Sequence, residues 1–198
     1  HIKFGSSFNH PLANSLDNCT TLTHIVFSYC FNEPLDNSLN NCTLLTHIKF
    51  GYYFNQPLGN SLDNCTSLTH IVFCYYFNQP LANSLNNCTS LTYIELGFKF
   101  NQKLELPPNV RSLSLNFNKG NYGDYLPDTI EELELGFNFN LELDNLPSSI
   151  KKITFNKYSK YNKELNCLPD GISILELPIK YDKQISSIPS ALSKIICF

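Results

Sequence analysis

The chain contains no Trp and no Met, and only 16% of its residues are charged. Its 14 Lys and Arg against 17 Asp and Glu give a net charge of −3. Such a surface argues against nucleic acid as a partner, because a phosphate backbone calls for a basic footprint. No long apolar run is present, so no membrane span is expected. There is no Cys-x-x-Cys, no Gly-x-Ser-x-Gly, no His-Glu-x-x-His and no spaced Asp cluster. Those absences remove the usual zinc, nucleophile-elbow, metalloprotease and calcium-loop signatures. The expectation is a chain that is not an enzyme and holds no cofactor or metal. Because Met is absent and the sequence opens on a strand-like segment at His1, it reads as part of a longer chain.

What the sequence does have is a repeat. His24-Ile25-Val26-Phe27 returns as His47-Ile48-Lys49-Phe50 and His70-Ile71-Val72-Phe73. His1-Ile2-Lys3-Phe4 precedes the series and Tyr93-Ile94-Glu95-Leu96 follows it, always in 23-residue steps. Shorter steps then carry Leu113-Ser114-Leu115, Leu133-Glu134-Leu135, Ile153-Thr154-Phe155, Leu175-Glu176-Leu177 and Ile195-Ile196-Cys197. Apolar residues alternate with variable ones in each segment, the period of a strand with one buried face. A unit this short cannot bury its own face, so like units must stack. Connections of this length force parallel neighbours. The expected fold is a repeat solenoid, a leucine-rich-repeat-like right-handed coil of about ten short parallel strands with helical, 3₁₀ or extended returns. It reads as one domain over 1–198, with 23-residue repeats over 1–93 and shorter ones over 94–198.

Two further columns share the period. Phe-Asn pairs follow the strands at Phe8-Asn9, Phe31-Asn32, Phe54-Asn55, Phe77-Asn78, Phe100-Asn101 and Phe139-Asn140. Tyr161-Asn162 takes the place two residues late, and Tyr181-Asp182 keeps it with conservative changes. Phe rings would fill the core while the Asn amides tie turn backbone together. The returns come in two kinds. Early ones read Asn-Ser-Leu-x-Asn-Cys-Thr-x-Leu-Thr, as in Asn14 to Thr23, with Leu16, Cys19 and Leu22 at a spacing that suits a short helix or a 3₁₀ turn. Later ones read Leu-Pro-x-x-apolar, as in Leu126-Pro127-Asp128-Thr129-Ile130.

Phe54-Asn55-Gln56-Pro57-Leu58, the Leu-Pro returns and Gly136-Phe137-Asn138-Phe139-Asn140 resemble the FNIP repeat, a leucine-rich-repeat variant of amoebae and the giant viruses that infect them. Asn64 to Thr69 also resembles the 23-residue leucine-rich repeat of bacterial and protist surface proteins. The FNIP resemblance implies a protein-interaction domain, often placed behind an F-box that recruits a ubiquitin ligase. The alternative it leaves open is a structural or surface protein, such as an adhesin or a virus-particle component.

Cys19, Cys42, Cys65 and Cys88 stand at the repeat period and read as small buried residues. Each lies in an Asn-Cys-Thr glycosylation pattern, at Asn18, Asn41, Asn64 and Asn87, yet a glycan on every turn would clash with a close stack. A reducing cytoplasm, the host's if the chain is viral, is therefore expected. The partner-binding surface is expected on the outer face of the strands. There His24, His47, His70 and Tyr93 form one column. Val26, Lys49, Val72 and Glu95 form a second, and Glu132, Glu134 and Lys152 continue the face, with Lys152 opposite Glu132. The His column reads as a polar, stackable ladder, with metal binding or pH sensing as the sharper possibility. Asn118 to Tyr125 interrupts the Phe-Asn column as an altered loop. The apolar first and last coils, with Leu192, Ile195 and Phe198 uncovered, suggest cover by further sequence or by self-association through the ends.

Overall fold

The computed structural model describes residues 1–81, 83–117 and 126–197. The altered loop expected over Asn118 to Tyr125 and the terminal Phe198 lie outside the described residues. The chain divides into two compact units, His1–Val110 and Arg111–Phe198. Among the described residues ten strands are present, and the pairings between them are parallel, as the repeat lengths require. No helix occurs among the described residues. The protein is a leucine-rich-repeat-like solenoid.

The first unit holds β1 (Ile2–Lys3), β2 (His24–Val26), β3 (His47–Lys49), β4 (His70–Val72) and β5 (Tyr93–Leu96). They pair in chain order and equivalent residues face one another, Ile25 with Ile48 and Ile48 with Ile71. The second unit holds β6 (Ser112–Leu115), β7 (Glu132–Leu135), β8 (Lys152–Phe155), β9 (Ile174–Leu177) and β10 (Lys194–Cys197), again in order. Inward strand residues are fully buried: Ile25, Ile48, Ile71 and Ile94 in the first unit, Leu113, Leu133, Ile153 and Leu175 in the second.

The core of the first unit is a double column of phenylalanines. Phe27, Phe50 and Phe73 stack at 5.2 Å, and Phe31, Phe54, Phe77 and Phe100 at 6.0–6.2 Å. The columns also touch each other, Phe50 on Phe54 at 4.1 Å and Phe73 on Phe77 at 4.0 Å. Each such contact contributes about 0.5–1.5 kcal/mol beyond burial. In the second unit Tyr161 stacks between Phe139 and Tyr181 at 6.2 and 6.1 Å, so the late pair keeps its column.

The returns of the first unit are not helices. The i, i+3, i+6 spacing becomes a run of separate i→i+3 turns: Ser15 N–H to Leu12 O, Cys19 N–H to Leu16 O, Leu22 N–H to Cys19 O. Only one backbone bond closes each turn, so no regular helix propagates. Leu-Pro returns use a single turn, in which Ile130, Ile150 and Ile172 donate to the carbonyls of Pro127, Pro147 and Pro169.

Coils of the first unit alternate between two forms. A Cβ at Gly51 would lie 1.6 Å from the Ser28 carbonyl oxygen, and one at Gly97 1.8 Å from that of Cys74. Glycine is obligatory at these two places, while Ser28 and Cys74 carry side chains at the equivalent position one coil earlier. The outward strand column alternates in the same way, Val26, Lys49, Val72, Glu95.

Candidate interaction surfaces

On the outer face of the first unit the imidazoles of His24, His47 and His70 stack at 4.3 and 4.4 Å with their planes within 10°. His1 lies 5.5 Å from His24, and Tyr93 caps the row, tilted, 5.4 Å from His70. The ring tautomer follows from the hydrogen bonds. Thr46 Oγ1 donates to Thr23 O at 2.9 Å and Thr69 Oγ1 to Thr46 O at 3.0 Å. A hydroxyl has one proton, so the 2.9 Å contacts from these hydroxyls to His47 Nδ1 and His70 Nδ1 must use a proton on nitrogen. Nδ1 is thus the donor, and Nε2 is left as the acceptor when the ring is neutral. His47, between two like rings, has its pKa lowered, first by desolvation and then by His70 and His24.

Parallel rings do not converge on a common metal position, and no group of three His, Cys, Asp or Glu able to hold a metal occurs among the described residues. Val26, Lys49, Val72 and Glu95 form the adjoining row, in which Lys49 is exposed and the other three half-buried. Glu132 and Glu134 are exposed on β7 of the second unit. Lys152 stands opposite Glu132 in the register, and its ammonium reaches Glu176 at 3.7 Å.

Two arrangements were not foreseen from the sequence. In the second unit Glu131 lies between Lys151, at 2.6 Å, and Arg111, at 3.9 Å. The hydrogen bond from Lys151, then its charge, lowers the Glu131 pKa.

The other is an aromatic ladder on the loops that follow β2, β3, β4 and β5 of the first unit. Tyr29, Tyr52, Tyr75 and Phe98 stack at 4.7, 4.8 and 5.0 Å. An outer pair, Tyr53 and Tyr76, stacks at 5.2 Å. Tyr53 stands edge-on to both Tyr29 and Tyr52 at 5.3 Å, so it covers the seam between them. Tyr76 does the same for Tyr52 and Tyr75, at 5.4 and 5.0 Å. Lys99 takes the next seam, its Nζ 5.9 Å from the Tyr75 ring and 5.6 Å from Phe98. Backbone bonds set the stagger: Tyr53 N–H to Tyr29 O, Tyr76 N–H to Tyr52 O, Lys99 N–H to Tyr75 O. The 23-residue recurrence of Tyr29, Tyr52 and Tyr75 was the available signal.

The comparisons with known proteins agree with this geometry. FNIP Repeat matches residues 100–138 and 117–158. The solved structure of CroV588, described as a novel circular LRR protein, is similar over 98% of this chain, with 26% identity and a TM-score of 0.64. The chain spans 36% of the length of CroV588. An internalin (inlF) of Listeria monocytogenes, 13% identical, shares the fold with a TM-score of 0.55 over 95% of this chain and 64% of its own. Among curated protein sequences none matches. The chain is an FNIP- and LRR-like repeat protein, and folds of this kind generically present extended surfaces to protein partners. No helix among the described residues is long and apolar enough to cross a membrane.

Proposed function

We propose that the chain is a protein-binding module that recognises its partner along the outer face of its strands. The observation that supports this is the pair of rows on the first unit, stacked His24, His47 and His70 beside Val26, Lys49, Val72 and Glu95. Apolar Val groups alternate there with charges of both signs, and the Nε2 acceptors stand at fixed intervals. Such a row supplies pattern without chemistry, which is what recognition needs and catalysis does not. Glu132, Glu134 and Lys152 offer the equivalent face of the second unit. We propose further, on the resemblance to FNIP repeats alone, that the chain is the substrate-recognition part of an F-box-type ubiquitin-ligase adaptor acting in the cytoplasm.

The test is the double variant His47→Ala with Glu95→Ala. Neither side chain enters the core, so the melting temperature should hold to within a few degrees while partner affinity falls at least tenfold. A captured partner that binds the double variant as tightly as the parent would move the site off this face. Enrichment of ligase subunits from cells expressing the full-length protein supports the adaptor reading, and their absence beside a bound partner removes it.

A further inference from the structure

We infer that the tyrosine ladder of the first unit is a docking surface, separate from the strand face, for a proline-rich segment in the polyproline II conformation. Three observations lead there. The ladder is an aromatic surface that the fold leaves in water: Tyr29 is 51% exposed, Tyr53 44% and Tyr76 38%. It is not core that failed to close, because the Phe columns beneath it are complete. Its rings are held in place by their stacking and by the staggered backbone bonds, so binding would order little.

Spacing selects the ligand. Successive seams are one coil apart, and with steps of 4.7 and 4.8 Å two coils span about 9.5 Å. A polyproline II helix rises about 3.1 Å per residue with three residues per turn, hence about 9.3 Å per turn. Every third residue of such a ligand meets every second rung and stays in step along the ladder. An extended strand repeats its side chains at about 6.6–6.8 Å and an α-helix at about 5.4 Å, and both drift off the rungs within two coils. Proline rings are flat, rigid partners for aromatic edges and faces, and the bare carbonyls of polyproline II accept hydrogen bonds from tyrosine hydroxyls. Tyrosine hydroxyls are protonated at neutral pH and can donate.

Charge gives the ladder a direction. Lys99 closes one end, its ammonium over rings and without a carboxylate partner among the described residues. At the opposite end the place of the outer ring is taken by Cys30, which leaves the side of Tyr29 open. The ligand that fits is proline-rich with an acidic residue at the Lys99 end.

The probe is a synthetic oligoproline of about nine residues flanked by Asp, with a Gly-Ser peptide of equal length and the same flanks as control. With no Trp in the chain, emission comes from its 11 tyrosines, five of which form the ladder, so a change on binding reports the titration while its location is read separately. Amide shift mapping on the parent protein gives a second, independent readout. Saturable binding is expected for the oligoproline, at least tenfold tighter than for the control, with shifts concentrated in the loops of Tyr29, Tyr52 and Tyr75. Tyr53→Ser with Tyr76→Ser should weaken it at least tenfold. Lys99→Glu should weaken the Asp-flanked peptide several-fold and favour a Lys-flanked one. Equal affinity for the two peptides, shifts gathered on His47 and Lys49 instead of the ladder, or a folded Tyr53→Ser, Tyr76→Ser variant that binds unchanged would each overturn the inference. If that double variant does not fold, the shift map of the parent decides alone. The His47→Ala, Glu95→Ala variant should bind the oligoproline normally, so failure of the strand-face reading and failure of this one are told apart.

Discussion

The side-chain oxygen of Asn55 accepts a 2.8 Å hydrogen bond from the backbone N–H of Asn78, one coil further along the chain. The same bond joins Asn9 to Asn32, Asn32 to Asn55 and Asn78 to Asn101. Gln79 reinforces it, its Nε2 donating to the Asn55 carbonyl at 3.0 Å. Each Asn therefore satisfies a turn donor that nothing in its own coil reaches. Asn55→Ala orphans the Asn78 N–H and should cost about 1–3 kcal/mol. Asn60→Ala, at an exposed turn, should cost less than about 0.5 kcal/mol. Denaturant unfolding of both variants checks the contrast, and equal midpoints would remove the role given to the relay.

Thiol reactivity should sort by burial. All eight cysteines are free. Cys42, Cys65 and Cys88 are buried, and desolvation pushes the thiols of Cys65 and Cys88 up to about 12 and about 11. The thiolate is the reactive form, so labelling of the native protein at pH 8 should be fast at exposed Cys167 and Cys197 and slower by orders of magnitude at these three. Mass-spectrometric counting of labels over time reads this. Adding reductant should leave the melting temperature unchanged.

Tyr161 keeps a phenylalanine's place in the second unit at the cost of a hydroxyl that is buried without a partner. Desolvation is the largest reason its pKa is raised. Tyr161→Phe removes a polar group that gave up water for nothing, and keeps the ring contacts with Phe139 and Tyr181. A gain of about 1 kcal/mol is expected, read as a higher melting temperature.

The histidine row makes stability depend on pH. The lowered pKa of His47 means the folded state binds its proton less readily than the unfolded chain does. Between the folded value and the unfolded value near 6.5 the unfolded state holds more protons, so stability falls as pH drops through that window and levels off below it. His47→Asn, which cannot titrate there, should flatten that part of the profile. A slope unchanged by the substitution would assign it to other groups.

The ladders that run through strand and core were legible in the sequence because burial and inter-coil bonding admit few residue types there. A buried Phe and an inter-coil Asn recur in each of the 23-residue coils, so Phe54-Asn55 and Phe77-Asn78 announce each other. The tyrosine ladder was not read, since Ser6, Cys30 and Lys99 interrupt its columns and exposed positions tolerate such changes. Arg111, Glu131 and Lys151 escaped for another reason: they stand one residue before the strands, where the apolar alternation gives no register. The glycines at 51 and 97 look like ordinary turn residues until the carbonyls of Ser28 and Cys74 are seen against them.

Those two glycines also say how such an array can be lengthened or trimmed. Coils with and without a side chain at this place alternate, so the piece that copies cleanly is a pair of coils, 46 residues, rather than the 23 residues that the motif suggests. Excising one coil sets two of the same form face to face, either two glycines or two residues with side chains, and in the second case the later Cβ is driven against the backbone carbonyl of the earlier coil, as it would be at Gly51. Excising two restores the sequence of forms. Insertions and deletions inherited by arrays of this type should then come in even numbers of coils, and a designed extension should be duplicated by the pair.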